Sequence, residues 1–162
     1  IPGATMGDRS RIRLMLLQIE RDLGGLGLMP PCSTYHRFAV GMTGDKMSSS
    51  KPESTIFMDD EIESMERKVK RAISGGQPTV EEHRRLGGDV SKDVAYQYLQ
   101  FFFENDDTAL AEVKSEYESG RMLAGEVKQI CIDRATDWLI DLKQKRDQME
   151  DSVADFLSPD AI

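Results

Sequence analysis

Cysteine, histidine and long apolar runs are all scarce in this sequence of 162 residues, and each scarcity removes a class of protein. Cys32 and Cys131 stand alone, without a Cys-x-x-Cys pair or a His at zinc-ligand spacing. That leaves two free thiols in a reducing cytoplasm rather than a disulfide framework or a metal site. No apolar run approaches the ~20 residues needed to cross a bilayer, and no signal peptide opens the chain, so a cytoplasmic protein without a membrane partner is expected. The first residue is Ile1 rather than Met, which suits a piece cut from within a longer chain. Hydrophobic residues nonetheless make up 39% of the sequence, enough to build a core and too many for wholesale disorder.

Positive charge is short over most of the chain. Residues 1–51 hold seven Lys/Arg against four Asp/Glu, whereas the remainder hold fourteen against twenty-five. Phosphate neutralisation drives non-specific binding to nucleic acid, so an acidic protein does not coat DNA or RNA. Contact with an RNA at a few defined places remains open, as does an acidic surface suited to a high-salt cytoplasm.

Helical signals dominate what is present. Ile12, Leu16, Ile19 and Leu23 recur at three- and four-residue steps, predicting a helix from Arg11 to Leu23 that stops at Gly24-Gly25. His36 to Val40 is short and mixed and reads as a candidate strand. Gly41 to Pro52 packs Gly, Asp, Ser and Pro together and reads as a loop. Thr55 to Met58 is a brief apolar run, and from residue 60 onward no convincing strand occurs. Asp60 and Glu63 form a capping-box pattern ahead of Ile62, Met65, Val69 and Ile73, closed by Gly75-Gly76. Thr79 and Glu82 repeat the device, closed by Gly87-Gly88, and Ser91 is expected to open a third helix. A fourth is expected from about Asp107 to Tyr117. A long last helix carries Val127, Ile130, Trp138, Leu142, Met149, Val153 and Phe156. The fold expected is mainly α: a helical bundle over residues 61–162 behind a different, loop-bearing region over residues 1–60.

The segment Gly44-Asp45-Lys46-Met47-Ser48-Ser49-Ser50-Lys51-Pro52 concentrates two ammonium groups and three hydroxyls. Fixed cations and hydrogen-bond donors of this kind suit a triphosphate from which pyrophosphate departs. A P-loop would need Gly-x-x-x-x-Gly-Lys-Ser/Thr opening a helix, and that pattern is absent. Composition by itself favours the plainer alternative of a solvated Ser-rich turn.

Lys46-Met47-Ser48-Ser49-Ser50 resembles the Lys-Met-Ser-Lys-Ser signature of class I aminoacyl-tRNA synthetases. The surrounding text is similar to the tryptophanyl-tRNA synthetases of archaea and eukaryotes. It includes Ser74-Gly75-Gly76, Thr79 to Arg84, Gly87-Gly88-Asp89, Tyr98-Leu99-Gln100-Phe101-Phe102, Asn105-Asp106-Asp107 and Ser119 to Glu126. The resemblance runs from about residue 33 to the C-terminus. It implies that residues 1–60 are the last part of a Rossmann-like catalytic domain and that residues 61–162 are an α-helical anticodon-binding domain. The implied reaction is ATP-dependent activation of tryptophan and its transfer to tRNA(Trp), with Mg2+ accompanying ATP and a homodimeric full-length protein. Lys46 would contact the phosphates, Ser48 and Ser50 would hydrogen-bond nucleotide, Ser49 lies between them and Met47 would pack beneath the loop. Gly41 and Gly44 gain a purpose as hinges, although glycines in a turn need no such role.

Two departures limit the resemblance. The class I site also uses a His-Ile-Gly-His-type motif, and His36 and His83 are the only histidines here, so this chain alone is expected not to form an aminoacyl-adenylate. Relatives also show Asp-Gln-Asp-Pro where this chain has Gly7-Asp8-Arg9-Ser10-Arg11, so pocket residues do not transfer, and a non-catalytic or altered-specificity relative acting as a tRNA-binding module is the alternative. Arg9, Arg11 and Arg13 read as solvated side chains rather than a phosphate or tRNA grip. Resemblance further points to Gln77, Glu82 and Arg84 as tRNA contacts, since unstacked anticodon bases are read by stacking and edge hydrogen bonds. Gln77 and Pro78 depart from common relatives, and Glu82 has a simpler role as a cap. Tyr96, Phe101, Phe102 and Trp138 read as core first and base-stacking surfaces second. Lys68, Lys70 and Arg71 read as a wet helix face.

Overall fold

The computed structural model describes residues 6–25 and 38–149, with side chains from residue 14 onward in the first stretch. The chain divides into two compact units between Phe38 and Ala39. The first contributes helix α1 (Met6–Leu23), which begins one turn earlier than the apolar spacing predicts. It ends as expected, with Gly24 at φ 59° and its N–H donating to the Glu20 carbonyl at 2.9 Å. Leu16 and Ile19 are half-buried, whereas Leu23 is exposed. The side chains of Arg9, Arg11, Ile12 and Arg13 lie outside the described residues, as do Cys32, His36, Val153 and Phe156.

The second unit is built from a 3-10 turn (Pro52–Ser54), helices α2 (Ile62–Arg71), α3 (Val80–Leu86) and α4 (Val94–Tyr98), a π turn (Leu99–Phe103), α5 (Asp107–Glu118) and α6 (Ala124–Met149). No strand occurs among the described residues, and Phe38 to Val40 have no regular structure, so the candidate strand is not found there. The expected mainly α architecture is present. Helix α6, about 39 Å long at ~1.5 Å per residue, is the axis of the unit. It buries Val127, Cys131, Ile132, Ala135 and Leu139. Around that stripe pack Met65 and Val69 of α2, Val94, Ala95 and Tyr98 of α4, Leu99 of the π turn and Tyr117 of α5.

Hydrogen bonds from side chains and backbone mark the helix boundaries, and these correct three expectations. Helix α2 does not begin with an Asp60–Glu63 capping box: its cap is Glu61, without a side-chain bond. Asp60 instead accepts from the Phe57 N–H at 2.9 Å and from Lys68 Nζ at 2.6 Å. The same helix stops at Arg71, before Ile73, because Ile73 N–H and C=O are engaged by Met42 O (3.1 Å) and Val94 N (3.1 Å). Lys128 caps that end by donating to the carbonyls of Lys70 (2.9 Å) and Ala72 (2.7 Å), where a cation complements the helix dipole. Ser91 does not open the third helix. Its N–H and hydroxyl both bind Asp89 Oδ1, at 2.9 and 2.6 Å, and Asp93 caps α4. Thr79 caps α3 as expected, its Oγ1 accepting from Glu82 N–H at 3.2 Å, and Gly87 closes the helix at φ 73°.

Asp93 is fully buried and satisfied by three segments at once: Gly75 N–H at 3.0 Å, Tyr96 N–H at 3.0 Å and the Tyr117 hydroxyl at 2.8 Å. Gly88 belongs to the same arrangement, since a Cβ there would run into the Tyr117 ring. Removing the carboxylate strands three buried donors, each worth about 1–3 kcal/mol in desolvation. Asp93→Ala is therefore expected to cost at least about 3 kcal/mol in urea unfolding, while Tyr117→Phe, which keeps the packing, costs roughly 1–2 kcal/mol.

Cys131 is buried beside this carboxylate, and burial, reinforced by the Asp93 charge, pushes its thiol up to about 12. A raised folded-state value means that folding favours the neutral thiol. The associated stability is complete below the ordinary value of 9.0 and is lost as pH rises from there through about 12. Between pH 9 and 10.5 the parent chain is expected to lose about 1–2 kcal/mol more than Cys131→Ala, measured as urea-unfolding free energy at each pH.

Candidate functional site

The Ser-rich loop is an ordered projection from the helical unit. Its base begins at Gly41, whose N–H donates to Asp45 O at 2.6 Å, and at Met42, a buried core residue whose N–H donates to Ser54 O at 3.0 Å. A Cβ on Gly41 would stand 2.5 Å from that same Ser54 carbonyl, and Gly44 sits at φ 83° against Ile73. Close approach and left-handed backbone thus require both glycines, whatever movement the loop undergoes.

Past the base, the chain turns over at Ser48 to Lys51, closed by Lys51 N–H donating to Ser48 O at 3.0 Å. Met47 is half-buried and packs beneath the loop, its Sδ accepting from the Tyr98 hydroxyl at 3.2 Å. Burial holds that phenol up at about 12, with the Cys131 thiol adding to the shift, so Tyr98 is protonated and able to donate at neutral pH. Ser48 is half-buried, and its Oγ lies 2.9 Å from Ser50 Oγ. Lys46, Ser49, Ser50 and Lys51 are exposed. Neither lysine makes an ion pair among the described residues. The arrangement presents unpaired cations and hydroxyls outward from a backbone fixed on its inner side.

The arm leaving the loop is held by a residue first read as part of a wet helix face. Lys68 is only 3% exposed: it donates to Thr55 O at 2.9 Å, pairs with Asp60 at 2.6 Å and lies 4.8 Å from the centre of the Phe57 ring. Lys70 and Arg71 are exposed, as expected. The signal for Lys68 was available, because it shares the inward face with Met65 and Val69, but basic character concealed it.

The three candidate RNA contacts lie together at the other turn and are tied into the fold. Gln77 Nε2 donates to Gly87 O at 3.1 Å, and Glu82 accepts from the Thr79 hydroxyl at 3.2 Å. Arg84 donates to the carbonyls of Gly120, at 3.0 Å, and Arg121. Gln77 and Pro78 border a cavity of about 250 Å³ together with Thr79, His83, Leu123 and Gly125. His83 is buried and bridges its walls, with Nδ1 3.4 Å from Gln77 N and Nε2 2.9 Å from Met122 O. The aromatic residues separate into two groups. Tyr96 is core, whereas Phe102 and Trp138 are 48% and 37% exposed and border an apolar groove of about 360 Å³ with Met47, Met58, Tyr98 and Phe103.

Comparison with known proteins places this geometry in a family. Residues 8–139 match the family described as tRNA synthetases class I (W and Y), and the chain belongs to that family. Among individual relatives, tryptophan–tRNA ligase of Saccharolobus solfataricus is 41% identical over 143 residues, covering 86% of this chain and 38% of the relative. The enzyme of the same name from Archaeoglobus fulgidus is 39% identical over 144 residues, covering 89% and 34%. The crystal structure of tryptophanyl-tRNA synthetase from Aeropyrum pernix K1 superposes with a TM-score of 0.85 at 32% identity, covering 95% of this chain and 42% of that one. The chain therefore spans well under half the length of the relatives it matches.

Lys68→Met keeps the stem and removes the buried ammonium, leaving Asp60 and Thr55 O short of a donor. It is expected to destabilise the chain by about 3 kcal/mol in urea unfolding. The exposed ion pair between Arg67 and Glu53, broken by Arg67→Met, is expected to cost less than about 0.5 kcal/mol.

Proposed function

We propose that the intact protein is a tryptophan–tRNA ligase, activating tryptophan with ATP and transferring it to tRNA(Trp), and that this chain supplies the phosphate-facing loop and the tRNA-binding helices. The observation that carries this reading is the loop itself: Lys46 and Lys51 unpaired and exposed beside Ser49 and Ser50, on a backbone anchored through Met47 to Tyr98. Family membership and the identity of the relatives as tryptophan–tRNA ligases support it.

On this reading residues 1–60 belong to a Rossmann-like catalytic domain and residues 61–162 to an anticodon-binding domain. Lys46 is the catalytic cation. As the amino acid carboxylate attacks the α-phosphate and pyrophosphate departs, charge grows on the leaving oxygens, and a fixed ammonium opposes it. Ser48, Ser49 and Ser50 donate to nucleotide oxygens through their hydroxyls. Mg2+ accompanies the triphosphate rather than the loop, because the charged side chains from Lys46 to Lys51 are all cations. The activity is assigned to the intact protein, in which a His-Ile-Gly-His-type motif completes the site; His36 and His83 do not provide one. Gln77, Glu82 and Arg84 frame the surface offered to tRNA, their hydrogen bonds setting its shape. A homodimer in the cytoplasm completes the reading.

Tryptophan-dependent exchange of pyrophosphate into ATP tests the assignment. Lys46→Ala in the intact protein is expected to lower kcat by about 100-fold or more, the scale for loss of one donor to a developing oxyanion. Exchange that survives the substitution undiminished removes Lys46 from the reaction.

A further inference from the structure

Ser54 lies outside the signature segment and drew no attention as sequence, yet it is 1% exposed beneath the Ser48–Lys51 turn. Its hydroxyl donates to Lys51 O at 2.7 Å and accepts from Ser48 N–H at 3.2 Å, and its backbone carbonyl accepts from Met42 N–H at 3.0 Å. One buried hydroxyl thus reaches both ends of the four-residue turn that projects Ser49 and Ser50. The next residue, Thr55, is pinned through its carbonyl to Lys68 of α2. The path runs without a gap from the helical core to the backbone of Ser48.

We propose that Ser54 is a positioning residue for the phosphate-facing loop, holding Ser48 and Lys51 in the geometry that receives the triphosphate. The proposal rests on the function argued above. A loop free to rearrange must be ordered when nucleotide arrives, and that cost falls on the productive complex; a loop closed over a buried hydroxyl has already met it. Ser54 touches no substrate. It acts through the Ser48 amide and the Lys51 carbonyl, and its effect belongs in the chemical step more than in tryptophan binding. Lys68 holds the segment that carries it.

The test is Ser54→Ala in the intact protein, read by tryptophan-dependent pyrophosphate exchange, with amide hydrogen exchange at Ser48 followed in parallel. Losing these hydrogen bonds is expected to lower kcat about ten-fold and to speed exchange of the Ser48 amide about ten-fold, with the KM for tryptophan changed less than about two-fold. Ser54→Thr, which restores the hydroxyl, is expected to recover part of kcat. A fully active Ser54→Ala overturns the proposal, as does a fall in kcat matched by an equal rise in the tryptophan KM with the Ser48 amide unchanged. A parent protein with no tryptophan-dependent exchange overturns instead the functional reading on which the proposal stands.

Discussion

A carboxylate withdrawn from water must be supplied with donors, and Asp93 obtains them from Gly75, Tyr96 and Tyr117. Those three residues lie on the turn after α2, the first turn of α4 and the end of α5. The Gly-Gly pairs that read as helix stops gain a second meaning from this: Gly75 approaches Asp89, and Gly88 the Tyr117 ring, closely enough that a side chain would collide. Low conformational restriction at these glycines costs entropy on folding, and the satisfied carboxylate offsets it. The helical unit is organised around a polar centre with apolar residues packed about it.

From that centre a chain of contacts reaches the loop. Asp93 fixes α4, α4 carries Tyr98, and Tyr98 meets the Met47 sulfur. A second line runs from α2 through Lys68 to Thr55 and on to Ser54. Both approach the loop from its buried side and leave its cations facing outward. On the proposed function, this division makes chemical sense: the two lysines that face phosphate stay free of ion-pair partners, and the groups that shape the loop are withdrawn from solvent. The acidic surface elsewhere is consistent with RNA contact limited to defined places rather than spread over the helices.

Local signals made much of this visible in advance. Thr79 and Glu82 marked a helix start, and Gly24 and Gly87 marked helix ends. Of the residues spaced along the last helix, Val127 is buried and Ile130 and Leu142 are half-buried, but Trp138 and Met149 are exposed, and Cys131 and Leu139 complete the buried stripe instead. Failures came where a polar side chain had two options. Asp60 looked like a cap and became the partner of Lys68; Ser91 looked like a cap and closed a turn on Asp89, leaving Asp93 to open α4. Such choices depend on residues distant in sequence, and local spacing cannot decide between them. Lys68 and Ser54 were missed for the same reason, since their hydrogen bonds give a basic or hydroxyl side chain a buried role. The loop was conspicuous in sequence because its cations and serines are adjacent, and its anchoring was hidden because Tyr98 lies far along the chain.

The central claim is that the Lys46 loop is a preshaped triphosphate-facing element. It is tested most directly by the crystal structure of the intact protein with tryptophan and a non-hydrolysable ATP analogue. The account predicts Lys46 Nζ within about 3 Å of a phosphate oxygen, with the Ser54 hydroxyl still spanning Ser48 and Lys51. An analogue bound elsewhere, or a loop that meets the phosphates only after Ser54 has released it, would contradict the account.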